Sequence, residues 1–299
     1  MFHGTMTALV TPFSNGKIDE EAFRKHLERQ VESGINGVIP VGTTGEAATL
    51  SFEEHKQVIR IAVDQVAGRV PVIAGTGSNN TAESIELTAD AKAIGADAAL
   101  LISPYYNKPT QEGIYRHYKA VADAVHLPQV IYNVPGRTNS NIEPETVGRL
   151  SHVTNIIGIK DATANMEQLA HTMAACDGRI EFYSGDDASV LPFMAMGGQG
   201  VISVVSNIVP KTMLALTGAM RRGDLENAHR AQFAMRELNR MLFVQSNPIP
   251  VKAACAALGW MSNELRLPLL PLDGELLNGL RQTMDSFEFE GERLELAES

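Results

Sequence analysis

A lysine that ends an apolar run is the first candidate for chemistry in this sequence. The run is "NIIGIKDAT" at 155–163, in which three isoleucines precede Lys160. An exposed lysine has a pKa of about 10.4 and is almost fully protonated near neutral pH. If the isoleucines form an apolar wall around it, burial lowers that pKa, and the neutral amine can form a Schiff base with a carbonyl. The alternative is a solvated lysine, or one paired with Asp161 or Glu46.

Two hydroxyl groups are candidates to move protons beside such an amine. Tyr132 lies in "PQVIYN" (128–133), the run of strand length that precedes the run of Lys160, and Thr43 lies in "GTTGE" (42–46). Schiff-base formation needs proton transfers at the carbon beside the amine, and a phenol held by neighbouring hydroxyls can carry them. Tyr132 can equally be a packing residue with a solvated hydroxyl, so its role depends on where the fold places it.

Two further segments are suited to holding carboxylates. The glycines of "GTTGE" allow backbone N–H groups to approach a small anion, and Thr44 adds a hydroxyl. The segment lacks the GK[ST] ending of a nucleotide-binding P-loop, so a carboxylate fits it better than a nucleotide. Arg137, in the turn "VPGRT", carries a guanidinium that can hold a carboxylate through two hydrogen bonds. A tight turn and a surface ion pair are the respective alternatives.

Eight apolar runs rich in β-branched residues must position these groups. Segments of helical period lie between them, such as "SFEEHKQVIRIAVDQVAG", which begins with a capping box and ends at a glycine. This alternation predicts a parallel sheet covered by helices, and eight units favour a closed (β/α)8 TIM barrel over an open, doubly wound sheet. Reactive side chains then belong at the carboxyl ends of the strands. The runs are 4–10, 37–41, 70–75, 97–103, 128–133, 155–160, 180–185 and 200–205.

The strand pattern stops near residue 206, and the segments after it have helical period. We predict a catalytic (β/α)8 barrel at 1–224 and a C-terminal helical domain at 225–299. The acidic segment "EGERLELAES" at the end of the sequence is expected to be frayed.

Charge and composition restrict the partners of the protein. The net charge is −10 with no basic block, which argues against nucleic acid or an anionic membrane as a partner. No run approaches the ~18 apolar residues that cross a bilayer, and the first residues lack the pattern of a signal peptide. Two cysteines without a CxxC pattern fit a reducing compartment, so we expect a cytoplasmic protein.

A metal site is not expected. The eight histidines show no HExxH motif or other ligand spacing. Asp186 and Asp187, in "SGDDASVL", could ligate a metal, but they fit an acidic N-cap of the following helix better.

Several segments together resemble one known family. They are "GTTGEAATL", "PYYNKPTQEG", "YNVPGRT", "NIIGIKDAT", "SGDDAS", "GGQGVIS" and "NPIPVK", in this order. Over about residues 2–270 the sequence resembles the dihydrodipicolinate synthase family. The wider superfamily of pyruvate-dependent class I aldolases, which includes N-acetylneuraminate lyase, shares the barrel, the lysine and the Tyr-Asn-x-Pro stretch. "GTTGE", "PYYN" and the arginine of "YNVPGRT" point to the synthase branch.

The resemblance implies condensation of pyruvate with L-aspartate 4-semialdehyde to 4-hydroxy-tetrahydrodipicolinate, on the diaminopimelate route to lysine. It implies that Lys160 forms the pyruvate Schiff base and that Tyr132 passes protons. Thr43 would complete this relay together with Tyr106, which would come from the neighbouring subunit. Members of the family need no cofactor, because the lysine imine is the electron sink, and this chain is expected to form a homodimer or homotetramer.

The binding residues are also implied by family positions. Thr44 and the region of Gly45 would hold the pyruvate carboxylate, and Arg137 would guide the carboxylate of the semialdehyde. Gly185 and Ile202 would line the pocket. Two alternatives stay open: another aldolase or lyase of the superfamily, acting on N-acetylneuraminate or a keto-deoxy-sugar acid, and a catalytically silent metabolite-binding barrel.

Feedback-inhibited members of the family bind lysine at a dimer interface. Ala47 and Phe52 stand where sensitive members often have serine and histidine. The loss of a hydroxyl and an imidazole removes polar partners for a bound amino acid, so weak or absent inhibition by lysine is expected. Asp161 stands where a glutamate is usual, a conservative change. The positions that match the lysine site are His55, Asn79, Glu83 and Tyr105.

Overall fold

Eight parallel strands form the centre of the protein, which a computed structural model describes from residue 2 to residue 297. Each strand lies within one of the eight predicted runs except the sixth, which extends one residue beyond its run, to Asp161. The strands are β1 (Gly4–Ala8), β2 (Gly37–Ile39), β3 (Ile73–Gly75), β4 (Ala98–Ile102), β5 (Gln129–Asn133), β6 (Ile156–Asp161), β7 (Glu181–Ser184) and β8 (Gly200–Ser203).

The eight strands close into a barrel. Neighbouring strands pair in the order β2-β1-β8-β7-β6-β5-β4-β3, and each of these pairings is parallel. A parallel bridge between Val38 and Val72 joins the two ends of the sheet. The predicted (β/α)8 TIM barrel is therefore confirmed.

One main helix follows each strand and covers the barrel. The helices are α1 (Glu20–Glu32), α2 (Phe52–Val66), α3 (Thr81–Ile94), α4 (Gln111–Ala124), α5 (Pro144–Leu150), α6 (Met166–Cys176), α7 (Val190–Ala195) and α8 (Pro210–Arg222). Ser51 and Glu54 form the predicted capping box of α2. A single helical turn, Pro135–Thr138, lies between β5 and α5. Among the described residues, no helix has both the length and the apolar character needed to span a bilayer.

Between residues 225 and 297, four further helices pack against the barrel. They are α9 (Leu225–Ala234), α10 (Arg236–Met241), α11 (Ile249–Ala257) and α12 (Gly274–Asp285). Met213 of α8, Leu238 of α10 and Val251 of α11 belong to one buried apolar cluster. The division into two domains at residue 224 stays a prediction. Residues 298 and 299, at the end of the predicted second domain, lie outside the described residues.

The segment after α12 is docked, so the expectation that it is frayed is wrong as far as Leu294. Glu288–Phe289 and Glu292–Arg293 pair as a small antiparallel hairpin, and Leu294 is buried. The Glu292 carboxylate accepts hydrogen bonds from the backbone N–H groups of Lys211 and Thr212, at 3.1 and 2.7 Å. These N–H groups lie in the first turn of α8, where no intrahelical acceptor is available.

Apolar side chains fill the interior of the barrel. Met6, Ile39, Val130 and Ile202 pack there in one buried cluster with Tyr132. Successive side chains of a strand face opposite sides of the sheet, so alternate residues of each strand reach this interior. The carboxyl ends of the strands lie above the packed layer, and the loops that follow them form the rim of the barrel.

Candidate active site

Lys160 and Tyr132 are brought together by the pairing of β5 with β6. They are direct partners in the parallel register, and Lys160 Nζ lies 4.2 Å from the centroid of the Tyr132 ring. Lys160 is only 6% exposed. The amine therefore lies against an aromatic face inside the barrel.

Burial lowers the pKa of Lys160 from 10.5 to about 7. The carboxylate of Asp187 opposes this shift because it stabilises the ammonium, whereas the guanidinium of Arg137 adds to it by repulsion. With this pKa, about half of the Lys160 amine is neutral at pH 7. The neutral amine is the form that attacks a carbonyl.

The wall around the amine differs from the one expected from the sequence. Ile156 and Ile159 pack in a different cluster, among the helices outside the barrel. Ile157 is the isoleucine of this run that packs with the barrel interior. An isoleucine directly before Lys160 must face the opposite side of the strand. The ring of Tyr132 supplies the near wall instead.

Neither carboxylate suggested as an ion-pair partner holds Lys160. The Asp161 carboxylate accepts hydrogen bonds from the N–H and the hydroxyl of Thr163, at 2.7 and 2.6 Å. Glu46 pairs with Lys252, at 2.6 Å. The alternative of a lysine neutralised by Asp161 or Glu46 is therefore wrong, and the low pKa of Lys160 is not cancelled by its neighbour in the sequence.

The phenol of Tyr132 stays protonated at neutral pH. Burial raises the pKa of Tyr132 to about 12, and Arg137 and a hydrogen bond with the Thr43 hydroxyl offset part of the rise. Thr43 therefore meets Tyr132 across the barrel mouth, as its position after β2 predicts. A neutral phenol held in this way can donate a proton to a group leaving beside Lys160.

Gly185 and Ile202 lie against these residues. A Cβ built on Gly185 would stand 2.9 Å from Lys160 Cε and 2.7 Å from the Cβ of Ala162. Glycine is therefore needed here for the stem of Lys160 to pass. Ile202 is buried in the cluster that contains Tyr132, so both predicted lining residues are at the barrel interior.

The segment 42–46 forms a compact turn after β2. Gly45 N–H donates to the carbonyl of Gly42 at 3.0 Å, and the hydroxyl of Thr11 donates to the carbonyl of Gly45 at 2.7 Å. The Gly45 N–H is engaged within the turn and the Thr43 hydroxyl is directed to Tyr132, so the hydroxyl of Thr44 is the side-chain donor left for a carboxylate. Thr44 is buried, and its Oγ1 accepts a hydrogen bond from Asn247 Nδ2 at 2.9 Å.

Asn247 also holds Arg137, which lies in the single turn Pro135–Thr138. Arg137 Nη2 donates to the carbonyl of Asn247 at 3.0 Å. Asn247 therefore joins the two candidate carboxylate-binding residues, Thr44 and Arg137. Reasoning from residue types missed it, since Asn247 is far away in the sequence, and "NPIPVK" was singled out only through the family resemblance.

Asp187 was also missed, and its assignment to the cap of the following helix is wrong. Its Oδ2 accepts hydrogen bonds from the backbone N–H groups of Val204 and Val205, at 2.8 and 2.9 Å. These groups lie directly after β8, so the carboxylate joins the loop that follows β7 to the loop that follows β8. Its Oδ1 has no hydrogen-bond partner between residues 2 and 297. Burial raises the pKa of Asp187 to about 6.

Tyr106 is not packed with Tyr132 and Thr43 within a single chain. It is 88% exposed, and its φ of 72° turns the backbone into the left-handed region. Its N–H donates to the carbonyl of Thr138 at 3.4 Å. The phenol therefore projects from the rim towards the surroundings of the chain.

The structure brings two of the four predicted lysine-site residues into contact. Asn79 Nδ2 donates to the backbone carbonyl of Tyr105 at 3.1 Å. The Glu83 carboxylate accepts from a nearby serine hydroxyl at 2.7 Å. The buried His55 ring donates to a backbone carbonyl at the end of β3, at 2.8 Å. The Glu83 carboxylate and His55 Nε2 are thus already engaged by protein partners, whereas His55 Nδ1 has no hydrogen-bond partner among residues 2–297.

The chain matches known proteins along most of its length. A curated relative from Geobacter sp. (strain M21), named 4-hydroxy-tetrahydrodipicolinate synthase, is 55% identical over 91% of this chain and 94% of its own. A solved structure of the chloride-inhibited dihydrodipicolinate synthase from Acinetobacter baumannii, complexed with pyruvate, aligns with a TM-score of 0.93 and 45% identity. That alignment covers 95% of this chain and 98% of the other.

A further solved structure is that of the enzyme from Cyanidioschyzon merolae with lysine bound. It has a TM-score of 0.92 and 40% identity, covering 95% of this chain and 97% of the other. The model of the dihydrodipicolinate synthetase family matches residues 1–286. With this match and the barrel that carries Lys160 beside Tyr132, the chain belongs to the dihydrodipicolinate synthetase family.

Proposed function

We propose that this chain condenses pyruvate with L-aspartate 4-semialdehyde to 4-hydroxy-tetrahydrodipicolinate, a step of the diaminopimelate route to lysine. The observation that carries the proposal is the buried amine of Lys160, with its pKa lowered to about 7, against the ring of Tyr132. The name of the Geobacter relative, at 55% identity, supports the same reaction.

Lys160 begins the reaction as the nucleophile. Its neutral amine attacks the keto carbon of pyruvate, Tyr132 protonates the departing hydroxyl, and water leaves as the C=N bond forms. Loss of a proton from the pyruvate methyl group then gives an enamine. The enamine carbon attacks the aldehyde carbon of the second substrate. The amino group of that substrate finally replaces Lys160 at the imine carbon, which closes the ring and frees the lysine.

The two substrate carboxylates are assigned to separate donors. The hydroxyl of Thr44, beside Gly45, binds the carboxylate of pyruvate, and the guanidinium of Arg137 binds that of the semialdehyde. The hydrogen bonds of Asn247 to both residues support a fixed spacing between the two carboxylates. The pyruvate complex of the Acinetobacter relative supports pyruvate as the first substrate.

The proton relay is completed in an oligomer. Tyr106 of a neighbouring copy joins Tyr132 and Thr43, in a homodimer or homotetramer. An 88% exposed tyrosine on the rim, next to Tyr105 at 37%, supports this assignment because large aromatic side chains are enriched in subunit interfaces. The enzyme works in the cytoplasm, where its substrates are metabolites.

Borohydride trapping in the presence of pyruvate tests the proposal. A reduced pyruvate adduct is expected on Lys160, and it should be lost in Lys160→Ala and kept in Lys25→Ala, whose lysine lies on the exposed face of α1. The rate with semialdehyde is then compared with cleavage of N-acetylneuraminate and keto-deoxy-sugar acids. Turnover of the latter without the former assigns the other branch of the superfamily. The absence of any adduct indicates a silent binding barrel.

A further inference from the structure

A fully buried ion pair joins the C-terminal helices to the turn that follows β2. Lys252, in α11, places its Nζ 2.6 Å from Glu46 Oε1, and the two side chains are 0% and 1% exposed. Burial of two charges is costly, and an apolar pair of similar volume is often at least as stable. A fully buried pair is therefore weak evidence for stability, and fixing a geometry is another role that it can serve.

The carboxylate of Glu46 is held by groups from the C-terminal part of the chain. Its Oε1 accepts from Lys252, and its Oε2 accepts from the backbone N–H of Arg266 at 3.0 Å. The aromatic ring of Phe13 packs against this ion pair, and Lys252 Nζ lies 4.3 Å from the centroid of the ring. Both carboxylate oxygens are thus directed by the C-terminal helices and the loop that follows them.

The backbone of Glu46 is in an unfavourable conformation. Its φ of 55° and ψ of 36° lie in the left-handed region, where a residue with a Cβ is strained. Strain of this kind persists only where surrounding contacts over-determine the conformation. The two hydrogen bonds to the Glu46 carboxylate are contacts of this type, so they hold the last residue of the turn 42–46.

The strained residue is next to the groups that bind carboxylate. Thr44 and Gly45 directly precede Glu46, and Gly45 has little room to move. A Cβ on Gly45 would meet Thr11 Oγ1 at 3.1 Å and the carbonyl of Leu9 at 3.2 Å. A rotation of Glu46 would therefore be transmitted to the backbone and hydroxyl of Thr44.

We propose that Glu46 and Lys252 are positioning residues for pyruvate, which set the conformation of the turn 42–46 from the C-terminal helices. The inference rests on the proposed function, since it assigns a role to the anchor of the pyruvate-binding turn. Neither side chain touches substrate. Their pair keeps the Thr44 hydroxyl at the distance that a carboxylate bound to the Lys160 imine requires.

Three variants separate positioning from simple stability. Glu46→Gln leaves a buried ammonium unpaired, Lys252→Met leaves a buried carboxylate without its cation, and the double variant removes both charges. The double variant is expected to recover thermal stability relative to the singles, because no unpaired charge is left. Its half-saturating pyruvate concentration is expected to stay at least tenfold above that of the wild type, because the turn has lost the bond that joins it to Lys252.

Pyruvate binding is measured by borohydride trapping across a pyruvate titration, which does not depend on the second substrate. The maximal extent of trapping at Lys160 and the KM for the semialdehyde are expected to stay within about threefold of wild type in the double variant. The matched control is Glu21→Gln with Lys25→Met, a pair with the same 2.6 Å distance but with side chains 79% and 62% exposed. This control should leave pyruvate binding unchanged.

A double variant that binds pyruvate like the wild type overturns the inference, and so does a parallel loss of pyruvate and semialdehyde binding. A wild-type protein that traps no pyruvate refutes the proposed function, and with it this inference. The two outcomes are distinguishable, because the positioning inference can fail only in a protein whose wild type forms the pyruvate adduct.

Discussion

Lys160 is expected to form its pyruvate imine at close to full rate from about pH 8 upward, because its pKa is lowered to about 7. An ordinary lysine with a pKa of 10.5 would be neutral in roughly one molecule in three thousand at pH 7. About half of the Lys160 amine is neutral at that pH, a gain of roughly a thousandfold in nucleophile. The rate should fall tenfold for each pH unit well below pH 7.

Substitution of two buried carboxylates separates the charge that acts on Lys160 from one that does not. Asp187 acts on Lys160 through space, and Asp161 is its neighbour in the sequence. Asp187→Asn removes the charge that stabilises the ammonium, so the midpoint of the pH profile should move to lower pH. Asparagine can still accept the backbone hydrogen bonds of Val204 and Val205. Asp161→Asn removes an equally buried carboxylate that faces Thr163, and the midpoint should not move.

The assay is the second-order rate of imine formation with pyruvate, followed by rapid quenching into borohydride and quantified on the Lys160 peptide. The pH is varied from about 5.5 to 9.5 at constant ionic strength, because screening weakens charge–charge effects. A rate that still rises tenfold per pH unit through pH 9 refutes the lowered pKa. Equal shifts in Asp187→Asn and Asp161→Asn refute the roles given to the two carboxylates.

Lys160→Met should raise the free energy of unfolding by on the order of 4 kcal/mol at pH 7. The reason is that the pKa of Lys160 is about 7 in the folded protein and 10.5 in the unfolded chain, so proton binding at pH 7 favours the unfolded wild type. Since the wild type gains stability between pH 7 and 10.5, this advantage should shrink towards pH 10 in thermal melts. Arg137→Met should raise the KM for semialdehyde roughly tenfold to a hundredfold and that for pyruvate far less. Inhibition by lysine should need millimolar concentrations or more, and Ala47→Ser with Phe52→His should strengthen it; a half-inhibitory concentration well below millimolar contradicts this.

The barrel could be predicted from the sequence because each strand is a short apolar run bounded by turn residues. Lys160, Tyr132 and Thr43 follow from the same pattern, since the carboxyl ends of parallel strands meet at one rim. The pairing of Tyr132 with Lys160 in the register of β5 and β6 then brings the phenol to the amine.

The remaining parts of the site depend on contacts that no local pattern encodes. Asn247 and Lys252 lie in a helical region about 200 residues after the turn that they hold. Asp187 was assigned to a helix cap because two acidic residues precede a helical segment, but its acceptor oxygen is taken by N–H groups beyond the next strand. The isoleucine wall was misplaced because alternation sends Ile159 outwards.

The joint between β2 and β3 has a consequence for local motion. Two backbone hydrogen bonds cross the joint, from Val38 N–H to the Pro71 carbonyl at 2.9 Å and from Gly75 N–H to the Pro40 carbonyl at 3.0 Å, whereas the register of β5 with β6 runs from Gln129 to Asn133. Backbone amides at the joint should therefore exchange with solvent sooner than those of β6, which lies opposite β2 in the barrel order. The turn 42–46 follows a strand at the joint with the shorter pairing, and the nucleophile lies on a strand with longer pairing. Opening of the joint is therefore expected to leave the strand of Lys160 paired.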